Sequence, residues 1–236
     1  MIDGRTVLAV VPARGGSKGI PLKNLRTVGG STLVARVGDI VRRVPEIDRA
    51  VVSTDHPEIA DVAKKAGLDA PFMRPEHLSG DRIGDFEVLL HALEATEAAD
   101  GKRYDIVVML QPTSPMREPM HVSQTIGKLA KEKWDSVWTV SETDTKAHPL
   151  KQLTVGENGA LGYYDEAGSR IIARQQLTPV FHRNGLAYAM TRECLVDQRT
   201  IKGARSAALV VDGEFISIDT KWDIALVEFA MGRRRE

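Results

Sequence analysis

Short runs of β-branched apolar residues alternate along this chain with longer stretches in which apolar positions recur every three or four residues. Gly, Pro, Asn or Asp marks each change. Residues 6–13 form a valine-rich apolar run too short for a typical buried helix, which predicts a strand covered on both faces. A glycine-rich loop follows. Residues 31–44 place Leu33, Val34, Val37, Ile40, Val41 and Val44 at helical spacing, with Arg36, Asp39, Arg42 and Arg43 largely opposite. Residues 49–54 read as a strand, and Pro57 opens a helix that runs to about Ala66 and ends at Gly67. Strands are further predicted at 70–73, 104–110 and 136–141, with helices at 84–99 and 119–133. This alternation predicts an α/β fold, a mainly parallel sheet with helices on both faces, whose ligands sit at the C-terminal ends of the strands.

Residues 142–177 break the pattern, scattering glycines among short apolar pieces, and predict a hairpin-rich insertion. Strands at 185–190 and 207–211 and a closing helix at 220–231 follow, and Arg233 to Arg235 read as a solvated helix end. The length, 236 residues, fits one large domain spanning 1–236 better than two. Lysine plus arginine and aspartate plus glutamate both number 32, and a neutral total argues against a nucleic-acid-coating protein. No apolar stretch reaches the 18 or so residues needed to span a bilayer, and the N-terminus carries no secretory pattern. Cys194, the single cysteine, has no partner for an internal disulfide, so a reducing, cytoplasmic setting is expected. The six histidines form no metal-binding pattern. His91 reads as helix surface, while His148 either orders the insertion or meets the substrate, or has a simple loop role. There is no G-x-S-x-G elbow for a serine hydrolase.

Charge along the chain is far from uniform. Between Asp3 and Asp39 no acidic residue occurs, while Arg5, Arg14, Lys18, Lys23, Arg26 and Arg36 supply cations. Arg14, Lys18 and Lys23 lie in the glycine-rich loop directly after the first strand, where backbone N–H groups and side-chain cations can converge on a polyphosphate. The other reading is a basic surface turn whose glycines only satisfy its geometry. The loop matches neither G-x-x-x-x-G-K-[ST] nor G-x-G-x-x-G, which disfavours P-loop hydrolases and dinucleotide binders.

The segment Pro12-Ala-Arg-Gly-Gly-Ser-Lys-Gly-Ile-Pro-Leu-Lys-Asn24 resembles the signature loop of the acylneuraminate cytidylyltransferase (CMP-sialic acid synthetase) family. Gln111-Pro-Thr-Ser-Pro-Met-Arg117 agrees as well. So, more weakly, do Val52-Ser-Thr-Asp55, Arg74-Pro-Glu with Asp81, His148-Pro-Leu-Lys151, Arg174-Gln-Gln176, Asn184-Gly with Tyr188, and Ile218-Asp-Thr with Asp223. The resemblance implies a three-layer α/β/α nucleotidyltransferase fold in which CTP and a nonulosonic (sialic-type) acid give a CMP-sugar and pyrophosphate. It places Arg14, Ser17, Lys18 and Lys23 on the triphosphate, Asn24 near it, and Arg74 and the Ala13 backbone by the base. Gln111, Arg174 and Tyr188 then meet the acceptor, and Asp219 holds Mg²⁺. Residues 142–177 resemble the family's dimerisation arm, which implies a homodimer with part of each acceptor pocket supplied in trans.

Alternatives stand beside these roles. Gln111 can simply stabilise its turn, Arg174 can pair with a carboxylate of the insertion, and Asp219 can be the N-cap of the last helix. The sequence also departs from the family, which usually presents Asp-Ile-Asp where Ser217-Ile218-Asp219 stands here. It has no adjacent aromatics between Arg199 and Gly203, where some sialic-acid enzymes carry two. Magnesium accepts one or two carboxylates alongside phosphates and water, so Asp219 alone can anchor it. The rival readings are a nucleotidyltransferase for another acceptor, such as a deoxy-sugar acid or a phosphonate, and a catalytically silent nucleotide-binding homologue.

Overall fold

The computed structural model describes residues 1–233, so Arg234 and Arg235 of the basic tail lie outside the described residues. The elements are β1 (Val7–Pro12), β2 (Thr27–Val28), β3 (Ser31–Thr32), α1 (Leu33–Val41), β4 (Arg49–Ser53), α2 (Pro57–Lys65), α3 (Asp85–Asp100), β5 (Ile106–Met109) and α4 (Pro119–Glu132). They continue with β6 (Ser136–Glu142), β7 (Leu153–Val155), β8 (Leu161–Tyr163), β9 (Phe181–Thr191), α5 (Arg192–Val196), β10 (Ser206–Val210) and α6 (Lys221–Arg233). Six strands form the main sheet in the order β10-β6-β9-β5-β1-β4. β1 pairs parallel with β4 and β5, and β10 pairs parallel with β6. β9 runs antiparallel between β5 and β6.

β1 shows why the sheet has two covered faces. Its side chains alternate sides. Val7, Ala9 and Val11 pack with Val34, Val37, Ile59, Val122 and Ile126 of α1, α2 and α4, whereas Leu8 and Val10 pack with Leu89, Leu93 and Leu195 of α3 and α5. Every β1 position from Val7 to Val11 is fully buried, as its unbroken apolar run requires. The three layers are therefore helix, sheet and helix. A third cluster, with Ile20, Val28, Leu33, Met116, Ile218 and Val227, packs α6 beside the β2–β3 hairpin.

Four expectations need correction. No strand forms at 70–73, because Asp69 makes the one parallel bridge to Val51. Pro71, lacking an N–H, sits in the exposed run beyond it. The run rejoins the body where the Arg74 amide donates to the Thr54 carbonyl (2.8 Å). The strand expected at 185–190 is nearly twice as long, because β9 continues outward against β6 as far as the Glu142–Phe181 pair. The helix expected from residue 31 starts at Leu33, since Ser31 and Thr32 pair with β2 and Thr32 caps the helix through its hydroxyl (3.3 Å from the Ala35 amide). His91 is not simply surface, because its Nδ1 is buried without a partner and its ring stands edge-on to Phe72 at 5.1 Å.

The insertion leaves the sheet where β6 ends and returns at β9. It contains the β7–β8 hairpin and short 3-10 turns. His148 orders it: buried, it accepts the Leu150 amide at Nδ1 (3.1 Å), and Nε2 meets the Thr178 carbonyl (3.0 Å).

Candidate active site

Because β1, β4 and β5 run parallel, their C-terminal ends open at one edge, where the chain leaves β1 into the basic loop and β5 into the Gln111 turn. A cleft of about 510 Å³ lies there, within the size range of small-ligand sites. Arg14, Ser17, Lys18, Lys23, Asn24, Arg74, Gln111 and Asp219 all line it.

The loop is held from beneath. The Ala13 amide donates to the Ser53 carbonyl (2.9 Å), the Gly15 amide to Asp55 Oδ1 (2.8 Å) and Asn24 Nδ2 to the Arg14 carbonyl (2.9 Å). Ala13 is wholly buried, and its neighbour Pro12 lines the cleft. Each loop cation finds a carboxylate. Asp81 takes Arg14 Nη1 at 2.9 Å on one oxygen and Lys18 Nζ on the other. Lys23 Nζ donates to Asp219 Oδ1 (2.8 Å) and the Ile218 carbonyl (2.7 Å). The hydrogen bond from Lys18 holds the Asp81 carboxyl below its ordinary range.

Arg74 is buried and tied to Ser53, through Nε to the hydroxyl (3.0 Å) and through Nη2 to the carbonyl. Burial pushes its guanidinium down to about 10. Asp85, at the start of α3, also lines the cleft, and burial raises its carboxyl above the ordinary value.

The Gln111 turn is clamped to β9 by Arg117. This buried guanidinium donates through Nη2 to the carbonyls of Gln111 (2.6 Å) and Gly185 (2.9 Å), and through Nε to that of Leu186. Gly185 sits at φ 74°, and a Cβ there would lie 2.2 Å from the Ser114 hydroxyl, so no other residue fits against the turn.

The N-cap alternative for Asp219 does not hold. The Asp223 carboxylate accepts the amides of Asp219 (2.9 Å) and Thr220 (2.7 Å), and the Thr220 hydroxyl accepts that of Asp223 (3.3 Å). Asp219 is thereby free of capping and faces Lys23.

Two expected residues are not brought into the cleft. Tyr188 is 2% exposed on the α3/α5 face of β9, against Trp138, and its hydroxyl accepts the Gly185 amide (2.7 Å). Arg174 lies exposed in a 3-10 turn of the insertion, away from the cleft lining and in no ion pair among the described residues. Asp85 and the apolar lining residues Leu78, Ile83 and Val88 escaped sequence reading, since an acidic residue opening a helix reads as ordinary first-turn chemistry.

Residues 8–221 match the family model described as Cytidylyltransferase. The chain belongs to the cytidylyltransferase family. This cytidylyltransferase is 31% identical over 232 residues to the CMP-N,N'-diacetyllegionaminic acid synthase of Legionella pneumophila, covering 98% of both chains. It is 26% identical to the N-acylneuraminate cytidylyltransferase of Escherichia coli over 93% of its own length and 51% of that protein's. Its fold resembles that of CMP:2-keto-3-deoxy-manno-octonic acid synthetase, solved in complex with CTP, at TM-score 0.69 and 18% identity, covering 97% and 99% of the two chains.

Proposed function

We propose that this cytidylyltransferase transfers CMP from CTP to a nonulosonic acid and releases pyrophosphate. The observation that carries the reading is the convergence of Arg14, Lys18 and Lys23 with Asp219 on one cleft, in a chain whose relatives are named for this chemistry. In the reaction an acceptor hydroxyl oxygen bonds the α-phosphorus as the bond to the bridging oxygen breaks. Pyrophosphate leaves and the hydroxyl proton passes to solvent. Negative charge builds on the departing group, so cations fixed around it stabilise the transition state more than the ground state. Arg14 and Lys18 exchange Asp81 for phosphate oxygens, Lys23 exchanges Asp219, and the backbone bonds beneath the loop keep it in place. Gln111, on the turn clamped by Arg117, orients the acceptor.

Among the described residues no group of three or more metal-ligating side chains exists. Of the described carboxylates lining the cleft, Asp81 holds Arg14 and Lys18, Asp85 stands beside Leu78 and Val88 in the lining, and Asp219, the one the family resemblance puts on the metal, gives one oxygen to Lys23. That donor set suits Mg²⁺ arriving with the triphosphate, whose oxygens and waters complete six sites, rather than a resident ion. Bound there, the metal would polarise phosphate oxygens.

The insertion supports a homodimer that supplies Arg174 in trans, since Leu161, Tyr164 and Ile172 expose apolar side chains (70%, 70% and 93%) on it. CTP as a substrate and the buried, free Cys194 fit a cytoplasmic setting.

The test is pyrophosphate release with CTP and Mg²⁺ across nonulosonic acids, 3-deoxy-octulosonate and simple phosphonates, with UTP, ATP and GTP as controls. Turnover of one nonulosonic acid with CTP alone is expected, and turnover only of a phosphonate would replace the acceptor. Silence with CTP still bound, unrelieved by Ser217→Asp, would favour the silent homologue.

A further inference from the structure

The lining of the cleft is of two kinds. The basic loop supplies the cations Arg14, Lys18 and Lys23. The segment from Leu78 to Val88 supplies the apolar side chains Leu78, Ile83 and Val88, with the carboxylate of Asp85 among them and Arg74 also in the lining. Asp85 stands out as a partly buried carboxylate in a cleft that otherwise collects anions. No donor among the described residues hydrogen-bonds it, and Arg74 and Arg183 reach it only through their charge. A phosphate group is a poor neighbour, because like charges repel. A carboxylate on a partly dry wall calls for an N–H or O–H instead.

A nucleotide laid with its phosphates on the basic loop leaves its uncharged base for the apolar part of the lining, where a flat ring packs on Leu78, Ile83 and Val88. Cytosine presents there an exocyclic amino group, a donor that aspartate accepts in base readout, whereas uracil presents a carbonyl oxygen at the same position. Arg74, pinned to Ser53 through Nε and Nη2, has no acceptor at Nη1 among the described residues and can serve cytosine's acceptor atoms.

We infer that Asp85 reads the base: its carboxylate accepts the cytosine amino group and rejects uracil, making it the residue that sets CTP against UTP. This rests on the cytidylyltransferase reading of the cleft.

The test is calorimetric titration of the full chain with CTP and with UTP, without acceptor, for wild type, Asp85→Asn and Asp85→Ala, with thermal melts to confirm folding. CTP binding is expected to weaken in both variants. The CTP:UTP preference should fall by about tenfold or more, and furthest in Asp85→Asn, whose amide can donate to the uracil carbonyl. A preference within twofold of wild type in both folded variants overturns the inference. So does an unchanged preference with a raised KM for the acceptor, which would assign Asp85 to acceptor hydroxyls. Wild-type protein that prefers CTP in binding but turns over no acid would count against the proposed activity and leave the base readout standing.

Discussion

Asp81 shows how much a single side chain can hide from the sequence. On paper it is one acid in a weak motif. In the fold its two oxygens hold Arg14 and Lys18, so it occupies the place of a ligand anion. Pyrophosphate or CTP must displace it. Asp81→Asn is therefore expected to tighten pyrophosphate binding by about fivefold, the scale on which exposed ion pairs compete. Calorimetric titration checks this, and weaker binding would mean that Asp81 assists the ligand. The cations of the loop were legible from the order of charges along the chain, because the acid-free stretch between Asp3 and Asp39 stands out without a structure. Their counter-charges were not. Asp85 looks like any other acidic residue until the fold brings it to the cleft, and although the family resemblance marked Asp219 for the metal and Asp81 within a block, nothing in the sequence paired them with the loop cations.

Between elements, contacts that no periodicity reports decide how firmly the site is built. A Cβ on Gly19 would lie 2.4 Å from the Asp219 carbonyl, so the basic loop passes directly against the segment before α6. Gly19→Ala is expected to push the two apart and lower turnover by about 10²-fold, the cost of a misplacement near 1 Å. The melting temperature should hardly move, because Gly19 is exposed. Steady-state kinetics beside a melting curve separate the two effects. On the far side of the sheet, Glu97 of α3 accepts Arg192 Nε (2.9 Å) and Nη2 (3.1 Å) and the Tyr104 amide (3.0 Å). Burial pushes its carboxyl up, yet these hydrogen bonds bring it below the ordinary value. A depressed carboxylate stabilises the fold above its unfolded pKa and loses that contribution as pH falls through the folded one. Glu97→Gln is thus expected to cost about 2 kcal/mol at pH 7. The gap to wild type should narrow below about pH 4.3. Melts of both proteins from pH 7 to pH 3 check the sign, and a gap that widens on acidification would contradict it.

At the scale of the whole molecule, the insertion projects from the β6–β9 pair with apolar side chains uncovered, and the proposed homodimer is where they would be buried. Sedimentation is expected to give twice the chain mass. Ile172→Asp with Tyr164→Asp should yield a folded monomer with reduced turnover, and an unchanged dimer would move the interface elsewhere. The alternation of strands and helices, the two-faced burial of β1 and the place of the basic loop were legible in the amino-acid order, because each depends on neighbours a few positions apart. The strand expected at 70–73 failed for a matching reason: apolar content alone does not supply a ladder partner when Asp69 has already made the only bridge. Strand order, the antiparallel run of β9, and the meeting of Lys23 with Asp219 across 196 positions belong to the tertiary structure. Pairings at that separation are chosen by packing the whole chain at once, and no local pattern encodes them.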